Sequence, residues 1–218
     1  MKTLLTILLA IGLFVVAAAL PHLVDTHAYP WLPQVLTKLI MLVEAFIAMF
    51  LARRPLSDFG FRRSDGRSRA LIFGAFVLGA AATLLILSLG LKGLSSVMKG
   101  HTFVQIVLFV WLWSSIVEEI FVRGWLQSTI ARQGLSERAT IAISALFFGS
   151  LHLSLLRTSV EPASVACIVT FTTILGFICA TLRQRTRSLL PSILAHIGFN
   201  VGGMFGGIAW MIATKAAR

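Results

Sequence analysis

Residues 102–127 read TFVQIVLFVWLWSSIVEEIFVRGWLQ, and this stretch decides the fold. At 1.5 Å per residue it is long enough, as a helix, to cross a hydrocarbon layer about 30 Å thick. No alternation of apolar and polar residues competes for a strand over that length. Backbone N–H and C=O groups find no water in lipid, so a segment of this kind must be helical. Six comparable apolar runs flank it, at roughly 4–20, 31–51, 70–91, 139–156, 163–182 and 189–213.

The composition agrees. Of 218 residues, 57% are hydrophobic and 12% charged, against about 25% charged in a soluble domain. The mean hydropathy is +0.91. The expected fold is all-α: a polytopic transmembrane helical bundle of about seven spans, with residues 1–218 forming one integral-membrane domain. No second domain, low-complexity tract or internal repeat interrupts it. The first run, with Lys2 before it and Ala17–Ala19 near its end, fits either an uncleaved first span or a secretory signal peptide.

The net charge of +11 does not indicate nucleic-acid binding, because its carriers lie mostly between the apolar runs. Twelve Lys and Arg fall on the side of the N-terminus and of the loops after the second, fourth and sixth runs; five fall on the other side. Positively charged loops stay cytoplasmic, so the N-terminus is expected inside, in a multi-pass protein of a bacterial inner membrane. The longest polar segment, 53–69, reads as a cytoplasmic loop. Cys167 and Cys179 share one run, about 18 Å apart along a helix, too far for a disulfide. No paired-cysteine metal spacing exists.

Charge inside a bilayer is costly, so polar residues within the spans are functional candidates. They are Lys38, Glu44, Glu118, Glu119, Arg123, His152, His196 and Asn200. Lys38 lies near a span end and is expected to snorkel to the interface. Glu44 fits either a cavity lining or a structural hydrogen bond. Glu119 and Arg123, four residues apart, share a helix face and are expected to pair. Glu118 diverges from Arg123 by about 140° at 3.6 residues per turn and is expected to remain free, as suits a general base. A buried ion cluster that only fixes helix packing is the alternative for this triplet.

His152 follows Phe148 by four residues, and Asn200 follows His196 by four, so each pair shares a face. A single membrane histidine can serve simply as a helix–helix hydrogen bonder. Counted from the expected cytoplasmic ends of their spans, Glu118 lies about 21 Å deep, His152 about 20 Å, Asn200 about 17 Å and His196 about 11 Å. Three helices thus bring a carboxylate, imidazoles and an amide to similar depths. A carboxylate with an imidazole can deprotonate water. A second imidazole and an amide N–H can donate to a developing oxyanion. No HExxH zinc-protease pattern is present, although Glu118, His152 and His196 could form a three-ligand zinc site.

Three motifs in order, Glu118-Glu119-Ile120-Phe121-Val122-Arg123 (EExxxR), Phe148-Gly149-Ser150-Leu151-His152 (FxxxH) and His196-Ile197-Gly198-Phe199-Asn200 (HxxxN), resemble those of the CPBP intramembrane proteases. That family contains the type II CAAX prenyl endopeptidases and the bacterial Abi proteins. The resemblance covers a core at about 102–205, roughly half the chain. It implies an all-α membrane peptidase with a cavity open to the cytoplasm, acting near the C-terminus of membrane-associated peptide or protein substrates. It further implies that Glu118 and His152 activate water, that His196 and Asn200 hold the oxyanion, and that Glu119, Arg123 and Phe148 support them. The family is labelled metalloprotease by some criteria, and a metal-free glutamate mechanism is also implied. Since Asn200 is a poor zinc ligand, no cofactor is expected, with zinc as the alternative. A membrane scaffold, a bacteriocin-immunity protein and a small transporter with a Glu/His proton relay are the competing readings.

Overall fold

The structure is a computed structural model that describes residues 2–19, 32–64, 68–91, 102–157 and 160–216. Seven of its helices are long and apolar enough to cross a membrane. They are α1 (Lys2–Ala19), α2 (Leu32–Leu51), α3 (Arg69–Ser88), α4 (Phe103–Ala131), α5 (Glu137–Leu151), α6 (Pro162–Thr186) and α7 (Leu190–Ala216). Each coincides with one expected run to within a few residues, because length and apolarity are local properties of the chain. No strand occurs among the described residues. The outer surface is apolar: Leu5, Phe50, Phe73 and Ile212 are all more than 60% exposed, as lipid-facing side chains should be.

Local signals set the helix ends. The Ser136 hydroxyl accepts from the Ala139 N–H and caps α5. Pro162 opens α6, where its missing N–H costs nothing. The short 3-10 turn Leu56–Phe59 ends at Gly60, whose φ of 97° suits a residue without Cβ. The Gly60 carbonyl accepts from the Leu189 N–H. The loop after α2 is thereby tied to the turn between α6 and α7.

Two helix pairs approach closely because glycines line their contacts. A Cβ on Gly79 of α3 would lie 1.9 Å from the Phe199 carbonyl oxygen of α7, and one on Gly202 of α7 would lie 1.9 Å from the Phe76 oxygen of α3. Small residues of this kind hold membrane helices together by van der Waals packing, since lipid supplies no hydrophobic drive between them. On the other side of the bundle, a Cβ on Gly176 of α6 would stand 2.9 Å from Ala145 of α5. The buried core, including Val117, Phe121, Phe148, Leu175 and Cys179, runs between α4, α5 and α6.

Helix α4 departs from a regular α-helix. Residues Ser114–Glu119 are α-helical, and π-helical turns at Ile106–Trp113 and Ile120–Gln127 flank them. The Ser114 hydroxyl donates to the Phe109 carbonyl and the Ser128 hydroxyl to the Arg123 carbonyl, both five residues back. Such widened turns are rare and gather at functional sites. A uniform 3.6-residue period therefore misdescribes the surroundings of the Glu118–Glu119 pair.

Candidate active site

Glu118 and Glu119 stand in the α-helical turn of α4, both buried. They face different partners. Arg123 Nη1 donates to Glu119 Oε1 at 3.0 Å, and both side chains are wholly buried. The guanidinium is used further. Its Nη2 donates to the Gly176 carbonyl of α6 at 3.0 Å, and its carbon lies 4.3 Å from the centre of the Phe148 ring. Gly176 can present that carbonyl because, lacking Cβ, it lets α6 lie against α5. The expected Glu119–Arg123 pair is thus present, and it joins α4 to both α5 and α6.

Glu118 is not free, contrary to the expectation from helix geometry. Lys38 Nζ of α2 lies 2.5 Å from Glu118 Oε1 and donates to it. The snorkelling expected of Lys38 is corrected at the same point. A carboxylate this buried needs a counter-charge, and one within hydrogen-bond reach outweighs a distant interface. Angular divergence from Arg123 said nothing about the helix on the other side. The signal was available all the same, since Lys38 was the one other cation within a span. Glu44, also on α2, has a buried Oε2 without a hydrogen-bond partner.

His196 of α7 links the two carboxylates. Its Nδ1 lies 3.1 Å from Glu119 Oε1 and its Nε2 lies 3.9 Å from Glu118 Oε2. Glu119 can only accept while it is ionised, so Nδ1 carries a proton and donates. Nε2 is directed at Glu118 across a gap too long for a direct hydrogen bond. His152 ends α5, where the chain tightens into the 3-10 turn His152–Arg157, so it sits just beyond the α-helix rather than within it. Its Nδ1 lies 3.2 Å from the Phe148 carbonyl oxygen. A carbonyl accepts only, which places a proton on Nδ1, so in the neutral imidazole Nε2 is the acceptor. His152 lies within electrostatic reach of Glu118, Lys38 and His196.

Phe148 orders the imidazoles. Its ring meets those of His152 and His196 edge to face, with centroids 5.4 and 5.3 Å away. Edge-to-face contact is a favoured arrangement for aromatic rings, and with Arg123 on it the ring buttresses three site residues. Asn200, one turn after His196, donates from Nδ2 to Ser115 Oγ at 3.0 Å. One amide N–H is used there, and the amide group has two. Ser115 was not among the sequence candidates, because a serine in an apolar run looks like a small packing residue.

Among the described residues no three His, Cys, Asp or Glu side chains are placed to hold an ion together. The oxygen of Glu118 nearest a cation is held by the Lys38 ammonium. The donor set instead suits proton transfer, with a buried carboxylate, an imidazole acceptor beside it, and a second imidazole backed by Glu119 and Arg123.

Residues 100–202 match the family model described as Rce1-like, a type II CAAX prenyl endopeptidase. They include all three motifs, and the match supports membrane-embedded peptidase chemistry in general. The chain matches no curated protein and no solved structure.

Proposed function

We propose that this chain, similar over residues 100–202 to type II CAAX prenyl endopeptidases, is an intramembrane endopeptidase that hydrolyses peptide bonds of membrane-associated substrates. The observation that carries this reading is the convergence of Glu118, His152 and His196 from three helices, with Asn200 one turn further along α7. A water near Glu118 loses its proton to that carboxylate as its oxygen attacks the substrate carbonyl, and His152 Nε2 accepts a hydrogen bond from the same water. The carbonyl oxygen, turning anionic, receives hydrogen bonds from His196 Nε2–H in its protonated state and from the remaining Asn200 N–H. Glu119 stabilises that imidazolium through Nδ1. The C–N bond then breaks, and the proton held by Glu118 passes to the leaving amine.

Lys38 donates to Glu118 Oε1 in the resting site, and water and substrate compete with it for that carboxylate. The reaction in this reading runs without a metal. The excess of Lys and Arg beyond the ends of α2, α4 and α6 supports a cytoplasmic location for that side, with substrate and water approaching from it. Prenylation of the substrate is one option within the class. The experiment is substrate trapping. Glu118→Gln should keep the fold, lose at least about 10²-fold in turnover, and retain peptides that mass spectrometry identifies. Turnover of a captured peptide by Glu118→Gln at the wild-type rate would overturn the assignment and return the scaffold and transporter readings to the front.

A further inference from the structure

A second site lies away from the carboxylates, at the end of the bundle where α2, α4 and α6 finish. A cavity of about 320 Å³ there is lined by Arg62, Arg132, Arg183 and Arg187, with Asp58 as the acidic member and Ser57 and Gln127 among the rest. The arginines come from three segments far apart in sequence. Arg62 follows the 3-10 turn, Arg132 follows α4 directly, Arg183 lies in the last turn of α6, and Arg187 ends that helix.

Helix C-termini favour arginine, and this accounts for part of the cluster. It does not account for four guanidiniums around one cavity. Arg62, Arg132 and Arg187 all repel Arg183. The four ion pairs among the described residues belong to the carboxylate site, and none includes these arginines. Burial and the neighbouring Arg54 together hold the pKa of Arg132 below its ordinary value, against the pull of Asp58.

The cavity is built rather than incidental. Arg183 is only 8% exposed, and its Nη2 donates to the Asp58 carbonyl and to Ser128 Oγ. Gly60 makes room for it, since a Cβ there would stand 2.7 Å from Arg183 Nε. Arg132 lies over the Phe59 ring at 4.6 Å. Arg187 adopts a left-handed φ of 54°, a conformation that a helix end normally gives to glycine or asparagine. An arginine held there puts its charge at the cavity against the backbone preference.

We propose that this cavity binds the phosphate of an anionic glycerophospholipid from the adjoining leaflet. Planar guanidiniums recognise phosphate oxygens in pairs, which lysines cannot do. Basic pockets between membrane helices on the cytoplasmic side are suited to acidic headgroups. The neighbouring groove argues for a lipid over a free phosphate. A mainly apolar groove of about 620 Å³ is lined by Phe46, Met49, Phe50 and Leu51 of α2 and by Leu56, with Arg53 and Arg54 also in its wall, and Leu56 adjoins Ser57 of the arginine cavity. Phosphate and acyl chain would each meet a matching surface on one continuous stretch of chain.

The test uses the full chain purified in a zwitterionic detergent and titrated with phosphatidylglycerol, phosphatidylcholine or glycerol 3-phosphate, with bound ligand read by native mass spectrometry. Phosphatidylglycerol should bind at least about tenfold more tightly than phosphatidylcholine, and glycerol 3-phosphate should not displace it at equal concentration. Arg62→Ala and Arg187→Gly should each weaken phosphatidylglycerol about fivefold, the factor that one juxtamembrane cation gives at an anionic surface. Arg187→Gly also relieves the left-handed backbone, so its thermal midpoint should not fall and a folding defect cannot mimic the loss. Arg185→Ala, exposed and outside the cavity, should change binding less than twofold. Equal binding of the two lipids, equal loss in Arg185→Ala, or glycerol 3-phosphate matching the lipid would each overturn the proposal.

Discussion

Replacing Arg123 by alanine tests whether the buried pair on α4 fastens the site together. The guanidinium makes three contacts and has no exposure to solvent. Its removal leaves Glu119 as a buried carboxylate that keeps its contact with His196 but has lost its cation. Breaking a buried pair from one side costs about 3 to 5 kcal/mol. The Gly176 carbonyl keeps its intrahelical donor and loses only the second hydrogen bond, worth about 0.5 to 1.5 kcal/mol, and the Phe148 contact is worth up to about 2 kcal/mol. One group makes all three contacts, so these values overlap. The upper end of the pair range, about 5 kcal/mol, is the expected loss. For a chain of this length each kcal/mol moves the thermal midpoint by about 2 to 4 °C, which gives a fall of about 10 to 20 °C. Total stabilities of about 5 to 15 kcal/mol leave little margin, so Arg123→Ala should accumulate poorly in membranes. The assay is thermal unfolding of purified protein in one detergent, beside membrane yield. Arg123→Lys should be intermediate, since an ammonium reaches Glu119 but lacks the planar fork that also serves Gly176. Glu119→Gln combined with Arg123→Met should lose less than the sum of the single changes, by at least about 1 kcal/mol. A midpoint for Arg123→Ala within about 3 °C of wild type would refute the argument.

The other predictions concern the neighbours of this pair, the metal and the topology. Lys38→Met should cost about 3 kcal/mol by leaving Glu118 without its counter-charge, and adding Glu118→Gln should restore most of it. Unfolding midpoints check this, and no rescue in the double variant would show that the two side chains are not coupled. Activity of the purified protein should survive strong chelation, and elemental analysis should find sub-stoichiometric zinc. Stoichiometric zinc, with activity lost on chelation and regained on addition, would reverse that reading. In a variant lacking Cys167 and Cys179, a cysteine at the exposed Ser57 should react with an impermeant thiol reagent in inverted vesicles and poorly in intact cells. Stronger labelling of intact cells would invert the proposed topology.

What the sequence determined by itself was the set of seven spans and the contacts confined to one helix. Hydrocarbon demands length, apolarity and an internally bonded backbone, all readable in a single stretch of chain. The Glu119–Arg123 pair was legible for the same reason, since partners four residues apart meet on any helix. The bonds that complete the site were not. Lys38 reaches Glu118 across 80 residues, His196 reaches Glu119 across 77, and Asn200 reaches Ser115 across 85. Such bonds depend on how each helix is rotated and how near its neighbours come. Glycine contacts such as Gly79 with Phe199, and the widened turns of α4, settle that geometry. Hydropathy saw Lys38 as a charge near a span end and the arginines of three loops as markers of sidedness. Only packing turned the first into the counter-ion of Glu118 and gathered four of the others around one cavity, because charges distant in sequence interact only where the tertiary fold brings them within a few ångströms.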